Sequence, residues 1–145
     1  MTYEPDDIEL KQLIDQWVAQ WNEPDAEERR RLIRAVWAEN GYQTLVRPPQ
    51  AMRDNADEFG MPWPEVEIRG HTALFARVTR AYERFIAAGE FAFERDGEPV
   101  RHAGATVALT WVMRSRSDGS VVGGGLDVLT FAEDGRVRSS HQFVS

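Results

Sequence analysis

Cysteine is absent from this chain of 145 residues, and lysine occurs only once. A chain without cysteine has no disulfides, no thiolate metal ligands and no cysteine nucleophile. Long apolar runs are also missing, since no stretch approaches the length of a membrane span. The acidic, polar start at residues 3–7 is unlike a signal peptide. We therefore expect a cytoplasmic protein with no membrane partner.

Basic charge is scarce relative to acidic charge. The 17 basic residues face 24 acidic ones, which gives a formal net charge of −7. This balance argues against a phosphate backbone as partner, so we expect no nucleic-acid binding. The three histidines show no metal-ligand spacing, and we predict no metal. Glycines 123–125 lack the helix and lysine that follow in a phosphate-binding loop, and we predict no cofactor.

Bulky aromatic residues are plentiful, with five tryptophans, seven phenylalanines and three tyrosines. They supply apolar surface for a core, a cavity lining or both. The length suits one domain with one core, which we assign to residues 1–145.

Apolar residues at helical spacing predict three helices. Asp6 with Glu9 begins the first, and Asp25 with Glu28 begins the second in the same capping pattern. The second is expected to end at residues 40–41, asparagine and glycine, and the third runs from about residue 70 to 89. Residues 47–64 contain four prolines and read as a long loop, whose apolar side chains favour a cover over another part of the fold.

The apolar period changes to two after residue 91, which predicts strands. A short strand at 42–46 precedes them. Aspartate–glycine pairs at 118–119 and 134–135 predict hairpin turns, and the last strand is expected at 137–144. Helices followed by an antiparallel meander define an α+β domain.

Two C-terminal segments carry a family resemblance. Residues 126–131 (LDVLTF) and 133–137 (EDGRV) resemble the last hairpin of ketosteroid isomerases and SnoaL-like polyketide cyclases, within the nuclear transport factor 2-like superfamily. Residues 17–22 (WVAQWN) and 37–40 (WAEN) are similar to the same pattern. The resemblance implies a cone-shaped, strongly curved antiparallel sheet, the cystatin-like roll, wrapped around three N-terminal helices and enclosing a pocket.

Asp127 is the candidate catalytic residue. It lies mid-strand in apolar company, where desolvation disfavours the ionised carboxyl and raises its pKa. A structural aspartate bonded to neighbouring backbone is the alternative. By resemblance, Asp127 falls where ketosteroid isomerases hold a protonated acid that stabilises a developing enolate. The mechanism of those enzymes is well established. The family's tyrosine corresponds to Trp17 and its proton-transferring aspartate falls near Leu45, so steroid isomerisation by that mechanism is not expected.

When the strand around residues 107–113 is aligned with the corresponding strand of the family it resembles, Leu109, Trp111 and Met113 are expected to face the pocket. Gln142 and Ser140 share that side of the last strand. An ordinary core or a polar outer strand face remains the alternative for these positions. The predicted substrate-binding residues are Trp17, Trp37, Tyr42, Phe75, Leu109, Trp111, Met113 and Gln142.

Three functions fit these features. The first is a SnoaL-like enzyme that performs cyclisation, isomerisation or dehydration on a hydrophobic cyclic or polyketide-like small molecule. The second is a non-catalytic ligand-binding module of the same fold. The third is an association module that works through the outer sheet face, where Ala108, Thr110, Val112, Val128 and Thr130 are expected. The resemblance also implies a homodimer through that face.

Overall fold

The computed structural model describes residues 4–46, 50–103 and 105–145. These residues form four α-helices and a curved, unclosed sheet, and the fourth helix continues into a short π-helical turn. The helices are α1 (Asp7–Asn22), α2 (Ala26–Val36), α3 (Gln50–Glu58) and α4 (His71–Ala81), with the π-helical turn at Tyr82–Ile86. The strands are β1 (Trp37–Leu45), β2 (Val66–Arg69), β3 (Phe91–Arg95), β4 (Val100–His102), β5 (Thr106–Ser115), β6 (Val121–Phe131) and β7 (Val137–Val144).

The sheet has the strand order β2-β1-β7-β6-β5-β3, and β4 pairs separately with β5. All of these pairs are antiparallel except β1 with β7, which run parallel. The last strand therefore lies in the middle of the sheet, between the first strand and the β5–β6 hairpin. This is the α+β architecture predicted from the sequence, with one parallel pair that the sequence did not predict.

The core fills the hollow of the sheet. Ile14 and Trp17 of α1 and Leu74 of α4 are buried against Leu109 of β5 and Leu129 of β6. Burial of such side chains removes apolar surface from water and contributes roughly 1.5–3 kcal/mol each. The first helix is thus held against the strand that carries Asp127.

The predicted caps of the first two helices are confirmed. The Asp6 carboxylate accepts a hydrogen bond from the Glu9 amide at 2.8 Å, and Asp25 accepts one from the Glu28 amide at 3.1 Å. Each satisfies an amide that the helix leaves without a partner. The predicted last strand, residues 137–144, also matches β7.

Two element predictions were wrong. The stretch 47–64 is not a loop throughout, because Gln50–Glu58 forms α3; residues 47–49, with their two prolines, lie outside the described residues. The second helix ends at Val36 and not at residues 40–41. Those residues lie within β1, at an irregularity in its pairing with β7.

Gly41 explains the second difference. A Cβ at this position would lie 2.9 Å from the Ala38 carbonyl oxygen and 3.0 Å from that of Val137. The glycine thus permits a close approach of backbones within the sheet.

Helices in the described part of the chain include none with the length and hydropathy of a membrane span.

Candidate functional site

A cavity of about 750 Å³ opens on the hollow side of the sheet. Side chains from α1, α4 and β5–β7 form its walls, and Gln50 and Arg53 bring α3 to its edge. Its aromatic and apolar lining includes Trp21, Phe85, Phe93, Trp111 and Met113. A cavity of this size and composition suits a small molecule with an apolar body.

Asp127 lies on the inner face in the middle of β6, opposite Leu109 of β5 and Gln142 of β7. Its side chain lines the cavity and the residue is only 1% exposed. The indole nitrogen of Trp17 donates a hydrogen bond to Oδ2 at 3.2 Å, whereas the buried Oδ1 has no well-formed hydrogen bond among the described residues. Trp17 therefore holds one carboxyl oxygen, and the other is buried with no well-formed hydrogen bond among the described residues.

Burial raises the pKa of Asp127 to about 7. Desolvation is the main cause, because removal from water penalises the ionised form. The Trp17 indole opposes the rise most strongly; Gln142, the positive charge of Arg77 and Ser140 oppose it more weakly. A carboxyl group with this pKa exchanges a proton readily at neutral pH.

Arg77 reaches the same part of the cavity from α4. Its Nη2 donates to Oε1 of Gln142 at 3.1 Å, and its guanidinium lies over the Trp21 ring at 5.3 Å from the centroid. Burial lowers the pKa of Arg77, and the negative charge of Asp127 acts in the opposite direction. Trp17, Asp127, Gln142 and Arg77 thus form a contiguous polar group in an aromatic cavity.

The glycines that precede Asp127 have two different tasks. A Cβ on Gly125 would lie 2.5 Å from the Phe143 carbonyl oxygen and 2.6 Å from the Trp111 ring, so this glycine makes room for the indole. Gly123 and Gly124 line the cavity directly. The space beside Gly125 is therefore filled by the Trp111 ring and is not open to a ligand.

Five of the predicted site residues line the cavity together: Trp17, Trp111, Met113, Asp127 and Gln142. Trp37 and Leu109 do not line it, because both are completely buried in the core. Trp37 packs against Trp17 with ring centroids 4.8 Å apart and donates its indole N–H to Gln20 at 3.0 Å. Trp37 therefore packs against Trp17 within the core and helps to hold the Trp17 ring in place.

Tyr42 and Phe75 also lie away from the cavity. Arg69 lies over the Tyr42 ring at 4.2 Å from its centroid, and His141 approaches the ring edge on. Arg30 lies over Phe75 at 4.0 Å. His141 lies opposite Val128, so it points to the face away from Asp127, as alternation predicts.

Sequence reasoning missed the cationic part of the lining, which consists of Arg53, Arg77, Arg80 and Arg84. The last three follow one another at spacings of three and four, which places them on one helix face. This spacing was available as a signal. It was obscured because arginines beside an apolar stripe usually face solvent.

Nothing in the described ranges forms a group of three or more histidines, aspartates or glutamates placed to hold a metal ion. Asp127 and Glu94 are the acids among the cavity-lining residues that the structure describes. Glu94 accepts a hydrogen bond from Arg114 at 2.8 Å, which leaves Asp127 as the unpaired acid of the lining.

The helices and the curved sheet form the cystatin-like fold, which is shared by solved structures described as NTF2-like. Its solved structural neighbours include SnoaL-like proteins. No protein-family profile matches the sequence, and no curated protein does.

One similar structure is a SnoaL-like family protein of Agrobacterium tumefaciens, described as a candidate isomerase. It shares 26% identity and a TM-score of 0.72, over 95% of this chain and 98% of the other. A candidate SnoaL-like polyketide cyclase from Jannaschia sp. CCS1 shares 14% identity and a TM-score of 0.60, over 99% and 91%. An NTF2-like protein from Novosphingobium aromaticivorans with a cystatin-like fold shares 16% and 0.60, over 96% and 81%.

Proposed function

We propose that this protein is a SnoaL-like enzyme that transfers protons on a hydrophobic cyclic small molecule, with Asp127 as the acid/base. The observation that carries the proposal is the state of this carboxyl group. It lies in an aromatic cavity with one oxygen held by Trp17 and the other without a well-formed hydrogen bond. Its pKa of about 7 lets it serve as base and as acid at neutral pH.

A single acid/base favours reactions in which the same group removes and returns a proton. The Asp127 carboxylate would take a proton from a carbon next to a carbonyl group, and the C–H electron pair would pass into an enolate. Where a carbon–carbon double bond of the substrate is conjugated with the enolate, the same carboxyl would return the proton to the far carbon of that system, which moves the double bond and is an isomerisation. Attack of the enolate carbon on a second carbonyl of the substrate would instead close a ring, and the Asp127 carboxyl would give its proton to the alkoxide that forms. Neither sequence changes the oxidation state, and neither calls on a second protein acid.

A non-catalytic binding module is the second candidate. The absence of a further unpaired acid among the described lining residues favours it, because many proton-transfer enzymes use two groups. In this case Trp17 and Asp127 would serve only to recognise a polar group of the ligand.

Proton exchange at carbon separates the two candidates without knowledge of the natural substrate. We expect the protein to accelerate deuterium exchange next to the carbonyl of at least one compound in a panel of cyclic ketones and β-keto esters, followed by proton NMR in D₂O. Asp127→Asn should slow that exchange by about 10²–10⁴-fold, the usual contribution of an acid/base group. Glu94→Gln, which alters the other lining acid, should change it little.

Exchange that proceeds equally fast in Asp127→Asn would show that this carboxyl is not the acid/base. Binding of panel compounds with no exchange above the background rate would favour the binding module.

A further inference from the structure

The cavity combines an apolar body with an excess of positive charge. In the part of the chain that the structure describes, four arginines line it, although the chain as a whole has a net charge of −7. None of the four forms an ion pair with any residue in the described ranges. Cations that share one small volume repel one another, and this repulsion is relieved when an anion binds between them.

The acids of the lining do not neutralise these cations. Glu94 is paired with Arg114, which lies outside the lining. Asp127 has no ion pair within 4.0 Å among the described residues, and burial disfavours its ionised form. The lining residues that the structure describes therefore carry a net positive charge.

Arg77 is the most deeply placed of the four. Its Nη2 donates a hydrogen bond to Gln142, and its Nε is buried with no hydrogen-bond partner among the residues described. The buried indole N–H of Trp111 is also without a partner there. A buried donor without a partner is unfavourable, and an acceptor atom of a ligand that reaches it would remove this penalty. Both donors belong to cavity-lining residues.

We propose that the ligand of this cavity is an amphipathic anion: a flat apolar ring system that carries a carboxylate, with the carboxylate bound to Arg77 and the ring held among Trp21, Phe93 and Trp111. The guanidinium group matches a carboxylate because its parallel N–H groups can donate to both oxygens. Arg80 and Arg84 stand further along the same helix face and attract the anion to the entrance. This inference rests on the proposed function only in using the same cavity.

A matched pair of probes tests it: naphthalene-2-carboxylate and its uncharged amide, naphthalene-2-carboxamide, titrated by calorimetry at pH 7.5. The two share the ring and differ in charge. We expect the protein to bind the carboxylate at least about tenfold more tightly than the amide, in keeping with a charge-assisted hydrogen bond. Arg77→Met should reduce this preference to about twofold or less, and Arg77→Lys should retain part of it.

Arg34→Met is the control for charge alone, because Arg34 is exposed on α2 and does not line the cavity. It should leave the preference unchanged. Arg84→Met, at the exposed entrance, should reduce carboxylate binding several-fold and serves if Arg77→Met does not fold.

Equal binding of the two probes, or an unchanged preference in both Arg77→Met and Arg84→Met, would overturn the anion inference and leave the apolar cavity intact. Failure of both probes to bind would overturn it together with the proposed ring-shaped substrate. The exchange assay with Asp127→Asn reports the chemistry separately, so a carboxylate preference without exchange would leave this inference standing and remove the proposed reaction.

Discussion

Asp127 brings stability and reactivity into conflict at a single residue. The same desolvation that makes its carboxyl group useful near neutral pH makes its ionised form costly in the folded state. Trp17 limits this cost through its hydrogen bond to Oδ2. The balance between burial and the groups that oppose it, Trp17 most strongly, therefore sets both the pKa and the stability of the site.

This conflict predicts a decline of stability with rising pH. The pKa of Asp127 is about 7 when folded and 3.8 is its ordinary value. Between these values the folded state holds a proton that the unfolded state has released, so the free energy of unfolding falls as pH rises. Above pH 7 both states are ionised and the decline ends. From pH 5 to pH 8 we expect this residue to remove about 3 kcal/mol.

Urea unfolding of the wild type and of Asp127→Asn at pH 5 and pH 8 measures this effect. The asparagine cannot ionise, so the variant should lose about 3 kcal/mol less than the wild type over that interval. Parallel pH profiles of the two proteins would mean that Asp127 ionises at its ordinary pKa.

The sequence predicted the burial and the sheet face of a residue where its neighbours along the chain determine them. Asp127 stands between leucine and valine in a strand, and alternation places Gln142 on its side of the sheet. Arg77 escaped prediction because its setting depends on a hydrogen bond to Gln142 of β7 and on the Trp21 ring of α1. Contacts between distant elements leave no trace in local periodicity.

Strand β6 shows how one element is adapted to the site. Its inner face needs Gly125 because the Trp111 ring crosses that position, whereas Gly123 on the same face meets only the end of Met113, at 3.8 Å. At Gly125 the glycine run therefore makes room for the Trp111 indole, and at Gly123 it forms part of the cavity wall.

Gly125→Ala should destabilise the protein by about 1–3 kcal/mol, the usual cost of overpacking, since the added methyl group meets both an indole and a carbonyl oxygen. Gly123→Ala is the matched control and should change the free energy of unfolding much less. Urea unfolding of the two variants measures the difference. Equal effects at both positions would show that the indole does not lie over Gly125.

Elements differed in how well their limits could be predicted. Strand β7 and the starts of α1 and α2 follow from alternation and from capping residues, which act locally. Helix α3 was missed because prolines at 48, 49, 62 and 64 flank it and suggested a loop. Strand β1 begins earlier than predicted because its pairing with β7, distant in sequence, outweighs the asparagine–glycine signal.

At the scale of the whole molecule, the outer face of β5–β7 is uncharged in its middle rows. Thr110, Leu126 and Phe143 form one row across the three strands, and Ala108, Val128 and His141 form the next. Phe143 is 41% exposed. A sheet face of this composition suits packing against a second sheet, and we propose that two copies of the chain associate through it.

Light scattering coupled to size exclusion should therefore give the mass of a dimer at micromolar concentration. Thr110→Arg places a charge on an exposed position of this face and should shift the protein towards the monomer. Ser117→Arg, in the exposed turn between β5 and β6, adds the same charge elsewhere and should leave the mass unchanged. A wild type that is monomeric under these conditions would contradict the proposal.

The central place of β7 has a consequence for biosynthesis. Strand β1 emerges early from the ribosome, but its neighbour towards the middle of the sheet is β7, which is made after the other six strands of that sheet. Until then the inner edges of β1 and of the β5–β6 hairpin both lack a partner, and Gln142 cannot reach Arg77. During translation, the exposed edges of β1 and β6 must therefore be kept from pairing with each other or with another chain. Completion of the sheet and assembly of the cavity are thus one late event.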